Sequence, residues 1–536
     1  MLCKLCEPPF FSVYFPASFI PRVVHLILFH YDMEISYYIN RAGLIHYYAQ
    51  RVNIILYYYR HPMKDTAINV MNEVVRAMKE NQEHKGIRDT FSGSFGYVMA
   101  TAASAVGLGN IWRFPYLAAK YGGGIFLIVY LVLVVTFGHA MLMSETALGR
   151  MTRKSPVGAF QSFGNSFPLR FGGWLNAIVP MLIAPYYSFI GGWIIKYLYE
   201  YLVGNTTALA DDHYFTGFIT TFPSAEICFV VFTALTFIIV LMGVGNGVEK
   251  ASKIMMPLLV LLAIIISVYS ITRPGAMEGV RYFFIPNFKK FSLMTLVAAM
   301  GQMFFSLSIA MGILYTYGSY LKKDGDIEKT SRLVEGFDTG VSILAGLMII
   351  PAIFVFLGGS EDNIRSGPSL MFITIPKIFE SMGLGQIPGI LFFLMVLFAA
   401  LTSSISLMES GVSTFMDQLG WSRARGCMLM GVIMLLLGTA CALGYSVWSA
   451  VQPLGMSILD LLDFLTNSIM MPLAALCTCF LIARRAGIKA VVEEIRISSS
   501  FKGEKIYAVT IKYLAPIILT VILVSSIAAT FGWLKI

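Results

Sequence analysis

The chain has 536 residues, 57% of them hydrophobic and 13% charged, and its mean hydropathy is +0.73. Soluble domains carry about 45–50% apolar and about 25% charged residues, so charge this scarce excludes one large water-soluble body. The formal net charge of +9 invites a nucleic-acid reading. The basic residues argue against it, because they cluster in alternate loops: Arg150, Arg153 and Lys154, then Lys322 and Lys323, then Arg484, Arg485 and Lys489. That is the positive-inside pattern of a membrane protein, not one basic face.

Residues 1–86 form an N-terminal extension unlike the rest, rich in Tyr, Phe and His and without a sustained period. Arg22 and Asp32 bracket an apolar run too short to cross a bilayer. This extension is expected to be poorly ordered or dispensable, with Met71 or Met78 as alternative starts. Cys3 and Cys6 form a lone C-x-x-C with no second pair, a weak metal or redox motif. The remaining five of the seven cysteines sit in apolar segments, as small hydrophobes.

Residues 87–536 read as a transmembrane domain of about eleven helices, near 91–118, 122–149, 172–203, 224–244, 249–272, 294–320, 334–358, 388–417, 425–446, 456–483 and 513–533. Each run approaches the roughly 20 residues that span a bilayer. Backbone groups in lipid must bond within the segment, which selects helices. The expected fold class is an all-α polytopic membrane protein. With the basic loops in the cytoplasm, the N-terminus is inside and Ile536 outside, in a plasma or inner membrane. Loop 204–223 carries Asp211 and Asp212 and no Lys or Arg, as an external loop should; it also holds the sequon Asn205-Thr206-Thr207. Loop 359–387 contains its own apolar stretch, 370–375, and reads as a partly helical external cap.

Two spans carry features that a plain membrane helix avoids. The first contains Gly107 and Gly109, followed by Asn110, Arg113 and Pro115. The sixth contains Ser306 and Ser308, followed by Gly312. Isolated small residues in a membrane helix usually mean close helix packing. Clustered with an amide and an ion they point to function. Helices broken at mid-membrane present carbonyls and helix ends to a cation and a carboxylate. Breaks in spans 1 and 6 occupy corresponding positions if spans 1–5 and 6–10 form a 5+5 inverted repeat.

The strings AVGLGNIWRFPYLAAKYGGG (105–124), GQMFFSLS (301–308), TYGSYLKKDGDI (316–327) and ALTSSISLME (400–409) together resemble the neurotransmitter:sodium symporter family, especially its bacterial amino-acid transporters. The resemblance covers residues 88–536. It implies two Na+ sites and no organic cofactor. The first site resembles a set made of the Ala105 carbonyl, the Asn110 side chain, Ser306 and Asp338, completed by the substrate carboxylate. The second resembles carbonyls of Ala103, Val106 and Ala399 with the hydroxyls of Thr402 and Ser403. For those two hydroxyls the plainer alternative is bonding back to their own helix. Eukaryotic members have Asn at the position of Asp338 and recruit chloride nearby, at positions matching Tyr130, Gln302, Ser306 and Ser342. An acid there implies chloride independence, unless Asp338 is a protonated structural acid.

The resemblance places the substrate among Ser104, Ala105, Gly107 and Gly109, Ile183 and Tyr187, Phe305, Ser306, Ser308 and Met311, and Ser403 and Leu407. Monoamine carriers have an acid where Gly107 stands, so its lack leaves room for a substrate carboxylate. The side-chain end (Ile183, Phe305, Met311, Leu407) has no charge, and an unpaired buried charge is costly. The implied partner is therefore a small neutral, mostly hydrophobic amino acid, in a lipid bilayer and without nucleic acid. Ala310 replaces a common glycine and is expected to limit unwinding that admits an aromatic. Gates are implied at Arg113 with Asp463 outside and at Arg88 with Asp417 inside. Phe91, in place of the usual Trp, implies a looser inner gate, and Glu145 is expected to bond backbone groups freed by the sixth break. Alternatives are a carrier of another zwitterion, or a non-transporting amino-acid sensor. No nucleophile motif, phosphate loop or metal-spaced cluster suggests an enzyme.

Overall fold

In the computed structural model the described residues are 89–357, 367–381 and 385–530. The N-terminal extension through Arg88 lies outside them, as do the questions of its order and of alternative starts.

The described residues form eleven spans. The first is split into α1 (Ser94–Ala105) and α2 (Phe114–Lys120), with a wide π-helical turn at Gly109–Arg113 between them. Then come α3 (Gly124–Thr152), α4 (Phe167–Leu202), α5 (Phe222–Leu241) and α6 (Val244–Ile271). The sixth span is again split, into α7 (Leu293–Ser306) and α8 (Ile313–Tyr320). It is followed by α9 (Ile327–Leu357), α10 (Gln386–Leu419), α11 (Arg423–Tyr445) and α12 (Ile458–Ala486). A short amphipathic helix α13 (Ile488–Arg496) leads to the eleventh span, α14 (Glu504–Ala528).

The expected eleven spans are therefore present. The largest boundary differences are at α9, which begins at Ile327 rather than 334, and α14, which begins at Glu504 rather than 513. Each gained segment carries a charged pair near its start, Glu328-Lys329 and Glu504-Lys505. A hydropathy window sees only the apolar length and misses helix that projects beyond it. The faces of α5, α6 and α11 that carry Ile227, Val231, Ile238, Leu261, Ile265 and Leu436 are exposed, as lipid-facing surfaces should be.

Loop 359–387 is helical where described: a turn at Leu370–Thr374 runs into Ile375–Ser381. It is seated by aromatic rings. Phe372 lies 4.9 Å from Tyr197 edge-on and stacks on Phe215 at 5.0 Å, and the Tyr197 hydroxyl donates to the Phe372 carbonyl at 2.7 Å.

At the opposite, basic end, Phe91 is buried. Its ring meets Tyr97, Tyr317 and Tyr320 edge-on at 5.9, 5.5 and 5.9 Å. Such pairs add about 0.5–1.5 kcal/mol each beyond burial, and two of the three, with Tyr317 and Tyr320, hold this end of the first span against the sixth.

Candidate functional site

The first break follows from where the amides of residues 107–110 go. Val106 N still bonds Ala102 O at 2.8 Å, then Val106 itself turns extended (φ −73, ψ 99). Gly107 N donates to Asn110 Oδ1 at 2.9 Å, Leu108 N to the Tyr187 hydroxyl at 3.2 Å, and Asn110 N to Gly107 O at 3.2 Å. Those amides would otherwise have reached the carbonyls of Ala103, Ser104 and Val106, which are thereby released from helical bonding. Pro115 sits where the turn Gly109–Arg113 runs into α2.

The second break spans 307–312. Ser308, Ala310 and Gly312 all have left-handed φ, at 54, 61 and 67°. For a non-glycine this costs roughly 1–2 kcal/mol per residue, so the segment is held open by its surroundings. Ala310 N donates to Glu145 Oε1 at 3.0 Å, so the buried acid of α3 does bond a backbone group freed by the sixth break. Gly312 admits no side chain, since a Cβ would lie 2.6 Å from the Asn176 carbonyl.

The two breaks face each other across a cavity of about 30 Å³, room for a water or two as it stands. Every residue expected at the substrate site lines it: Ser104, Ala105, Gly107, Gly109, Ile183, Tyr187, Phe305, Ser306, Ser308, Met311, Ser403 and Leu407. Asn110 and Ile313 line it too. Ile313, on the first turn of α8, was not expected there. The two glycines make room. A Cβ on Gly107 would lie 2.7 Å from Ser403 Oγ and 3.0 Å from the Tyr187 hydroxyl, and one on Gly109 would lie 2.6 Å from the Phe305 ring. The Ser104 carbonyl accepts hydroxyls from both Ser308 and Ser403 at 3.2 Å, tying the first span to the sixth and eighth.

Beside the cavity sits an oxygen-rich cluster. Asn110 Nδ2 has Asp338 Oδ1 at 2.7 Å, Ser306 Oγ and Ser342 Oγ at 2.9 Å, and Asp338 O at 3.2 Å. An amide nitrogen has two hydrogens, so four oxygens around it are more than it can bond. Asp338 is fully buried. It also accepts Ser306 Oγ at 2.8 Å and the Tyr130 hydroxyl at 2.9 Å. Gln302 Nε2 donates to Gly109 O at 3.0 Å, while Gln302 Oε1 is buried without a partner among the described residues.

The second expected cation set lies where α1 meets α10. Thr402 Oγ1 donates to Phe398 O at 2.9 Å and Ala399 O at 3.1 Å, so its proton follows the plainer alternative of bonding its own helix. Its oxygen lone pairs, with the carbonyls of Ala103 and Val106, stay available.

At one mouth Arg113 stacks on Phe305, 5.5 Å from the ring centroid. Asp463 accepts Asn467 Nδ2 at 2.6 Å, and no ion pair joins Arg113 to Asp463 among the described residues. At the basic end Arg88 lies outside the described residues, and Asp417 Oδ2 accepts Ser155 N at 2.6 Å. An unforeseen pair closes this end: Arg423 bonds both oxygens of fully buried Glu409 at 2.7 and 2.8 Å, and Tyr320 donates to Glu409 Oε1 at 2.7 Å. Glu409 is the last letter of the string ALTSSISLME. A buried acid in an apolar span was signal enough.

The sequence profile of the Sodium:neurotransmitter symporter family matches residues 88–214 and 217–532. An uncharacterized sodium-dependent transporter of Bacillus subtilis, YhdH, is 33% identical over 413 residues, covering 76% of this chain and 91% of the relative. A sodium-dependent transporter of Haemophilus influenzae is 32% identical over 458 residues, covering 82% and 98%. Among solved structures, that of MhsT in complex with L-phenylalanine superposes with a TM-score of 0.75 at 35% identity, covering 82% of this chain and all of that one.

Proposed function

The chain belongs to the sodium:neurotransmitter symporter family, a family of multi-pass, sodium-dependent membrane transporters and not of enzymes, and we propose that it imports a neutral, mostly hydrophobic amino acid together with Na+ by alternating access. The observation that carries this reading is the cavity between the two breaks, whose lining sets the backbone of the first break and the Tyr187 hydroxyl at one end against Ile183, Phe305, Met311 and Leu407 at the other. A carboxylate suits the first end: the Tyr187 hydroxyl accepts Leu108 N and keeps its own proton to donate. An apolar side chain suits the second, which offers no counter-charge. The likeness to a relative solved with L-phenylalanine supports an amino acid of this class.

The four oxygens around Asn110 Nδ2 support a first Na+ site at Asn110, Ser306 and Asp338, with the Ala105 carbonyl. Hard cations take oxygen ligands, and Ser306, Ser342 and Asp338 bring theirs together here. The Ala103, Val106 and Ala399 carbonyls with Thr402 and Ser403 are the second site. Chloride is dispensable in this reading. The Tyr130 and Ser306 donors an anion would need already point at the Asp338 carboxylate, and Gln302 spends its amide on Gly109 O. A fixed negative charge beside the cation replaces the anion.

The basic loops orient the Arg150 and Arg423 end toward the cytoplasm. Arg113, Phe305 and Asp463 then form the outer gate, and Glu409 with Arg423 and Tyr320 joins Asp417 at the inner one. Uptake of radiolabelled leucine, phenylalanine and a wider amino-acid panel into proteoliposomes tests the reading. Accumulation with Na+ outside, none with K+ outside, and no change when gluconate replaces chloride are the expected results. Binding without accumulation would overturn it in favour of a sensor.

A further inference from the structure

Arg150, at the cytoplasmic end of α3, has a side chain with 0% exposure, and the transport reading gives it no task. Its Nε donates to Glu494 Oε1 at 2.9 Å and its Nη2 to the Glu494 carbonyl. Nη1 donates to Gly325 O at 2.6 Å and to Ser498 Oγ at 2.9 Å. Lys323 Nζ closes on both Glu494 oxygens at 2.7 and 2.9 Å. One buried guanidinium thus joins three separate segments: the end of α3, the loop from α8 to α9, and α13 with the turn after it. The turn adds its own bonds to that loop, Ser498 Oγ to Gly325 O at 2.6 Å and Ser499 Oγ to Asp326 Oδ1 at 2.5 Å.

Arg423 gathers a different set. Besides Glu409 of α10 it donates to the Val240 carbonyl at the end of α5, at 2.9 Å. Bonds that cross between the two sets are single ones, such as Tyr317 to Ser406 at 2.8 Å, Tyr320 to Glu409 and Ser155 N to Asp417. Separating the sets costs a few such bonds. Pulling Glu494 from Arg150 leaves a buried charge unpaired, which is far more costly.

α12 lies between the sets. Asn176 of α4 reaches the Ala474 carbonyl at 3.4 Å, and Tyr315 of α8 meets Thr478 at 2.9 Å. Between α12 and α13 stands Gly487, at φ 86 and ψ 129, a combination open to glycine and strained for any other residue, with no atom within 4 Å of where a Cβ would be. Hinges are a few element-terminal residues that absorb a φ/ψ change.

We infer that α13, stapled by Arg150, travels with the cytoplasmic ends of α3, α8 and α9 during transport, and that Gly487 is the hinge on which it turns relative to α12. Arg150 is a positioning residue in this device and touches neither substrate nor ion. The inference rests on the alternating-access reading.

Its test is distance measurement by electron–electron double resonance on the full chain in liposomes, with Na+ and leucine or with K+. The labels ride on unnatural amino acids at Lys489 of α13, Arg332 of α9 and Arg425 of α11; the Lys489 and Arg332 side chains are 88% and 67% exposed, and Arg425 is exposed. The Arg332–Arg425 and Lys489–Arg425 distances are expected to shift together between the two conditions while Lys489–Arg332 stays fixed. If Lys489 instead keeps its distance from Arg425, the inference falls and the transport reading stands. If Arg332–Arg425 does not change either, both fall. For the hinge, Gly487→Ala is expected to slow maximal uptake about tenfold with KM and Na+-dependent binding unchanged. An unaltered rate, or equal loss of rate and binding, overturns it.

Discussion

Tyr320 donates its hydroxyl proton to Glu409 at 2.7 Å while Arg423 grips both oxygens of the same carboxylate. Three spans therefore meet at one buried charge at the basic end of the sixth. Glu409→Ala leaves the Arg423 guanidinium, with 15% side-chain exposure, without its buried partner, a loss of about 3–5 kcal/mol. A fall of several degrees in melting temperature in detergent is expected. Glu409→Gln keeps the Tyr320 bond and loses the charge; it is expected to fold, to bind substrate, and to transport at least tenfold more slowly. Wild-type uptake rates in Glu409→Gln would remove this residue from the inner gate.

Asp338→Asn tests the chloride argument. Three donors converge on a carboxylate that is fully buried, and its charge faces the expected cation. An amide of the same shape keeps the packing and drops the charge. The Na+ concentration for half-maximal uptake is expected to rise about tenfold, or about 1.4 kcal/mol. Added chloride is expected to restore part of the loss. A Na+ dependence identical to wild type would exclude Asp338 from the first ion site.

Gly107→Ala addresses the pocket without touching the core. The added methyl would approach Ser403 Oγ to 2.7 Å and the Tyr187 hydroxyl to 3.0 Å. Both atoms belong to side chains that border the cavity, so the fold can yield where substrate binding cannot. The expected result is a near-normal melting temperature with Na+-dependent binding of leucine reduced more than tenfold, read by equilibrium binding in detergent. Unimpaired binding would show that substrate does not approach this glycine.

Much of this was legible because lipid simplifies the problem. Backbone bonding forces helices, so apolar length alone located the spans, and the two breaks announced themselves through Gly107, Gly109 and the Ser306–Gly312 stretch. The expected cavity lining followed from the motif strings together with the family resemblance, which alone supplied Ser104, Ile183, Tyr187 and Met311. What stayed hidden were partners far apart in sequence. Nothing in the local pattern around Arg150 names Glu494, and Arg423 reads as one more basic loop residue until the fold brings it to Glu409. The Arg113–Asp463 relationship illustrates a different limit. A gate pair forms in some states of a cycle, and here Arg113 lies over Phe305 instead, a geometry that residue identities do not specify.

Ala310 carries the most local of these expectations. Its φ of 61° lies in the left-handed region, where a Cβ costs roughly 1–2 kcal/mol, and its N–H is held by Glu145 Oε1 at 3.0 Å. Ala310→Gly removes that strain, and the greater freedom of glycine in the unfolded chain returns about 0.4–1 kcal/mol of it. The net expectation is a slightly higher melting temperature. Relief of the constraint also lets the segment bearing Met311 withdraw from the cavity, so uptake of tryptophan relative to leucine is expected to rise. Ala310→Val moves both readouts the other way, because a β-branched side chain tolerates positive φ least. Melting curves and competition uptake on the two variants check this together. Opposite shifts in stability with no change in the tryptophan-to-leucine ratio would place Ala310 in folding alone and leave substrate size to Ile183, Met311 and Leu407.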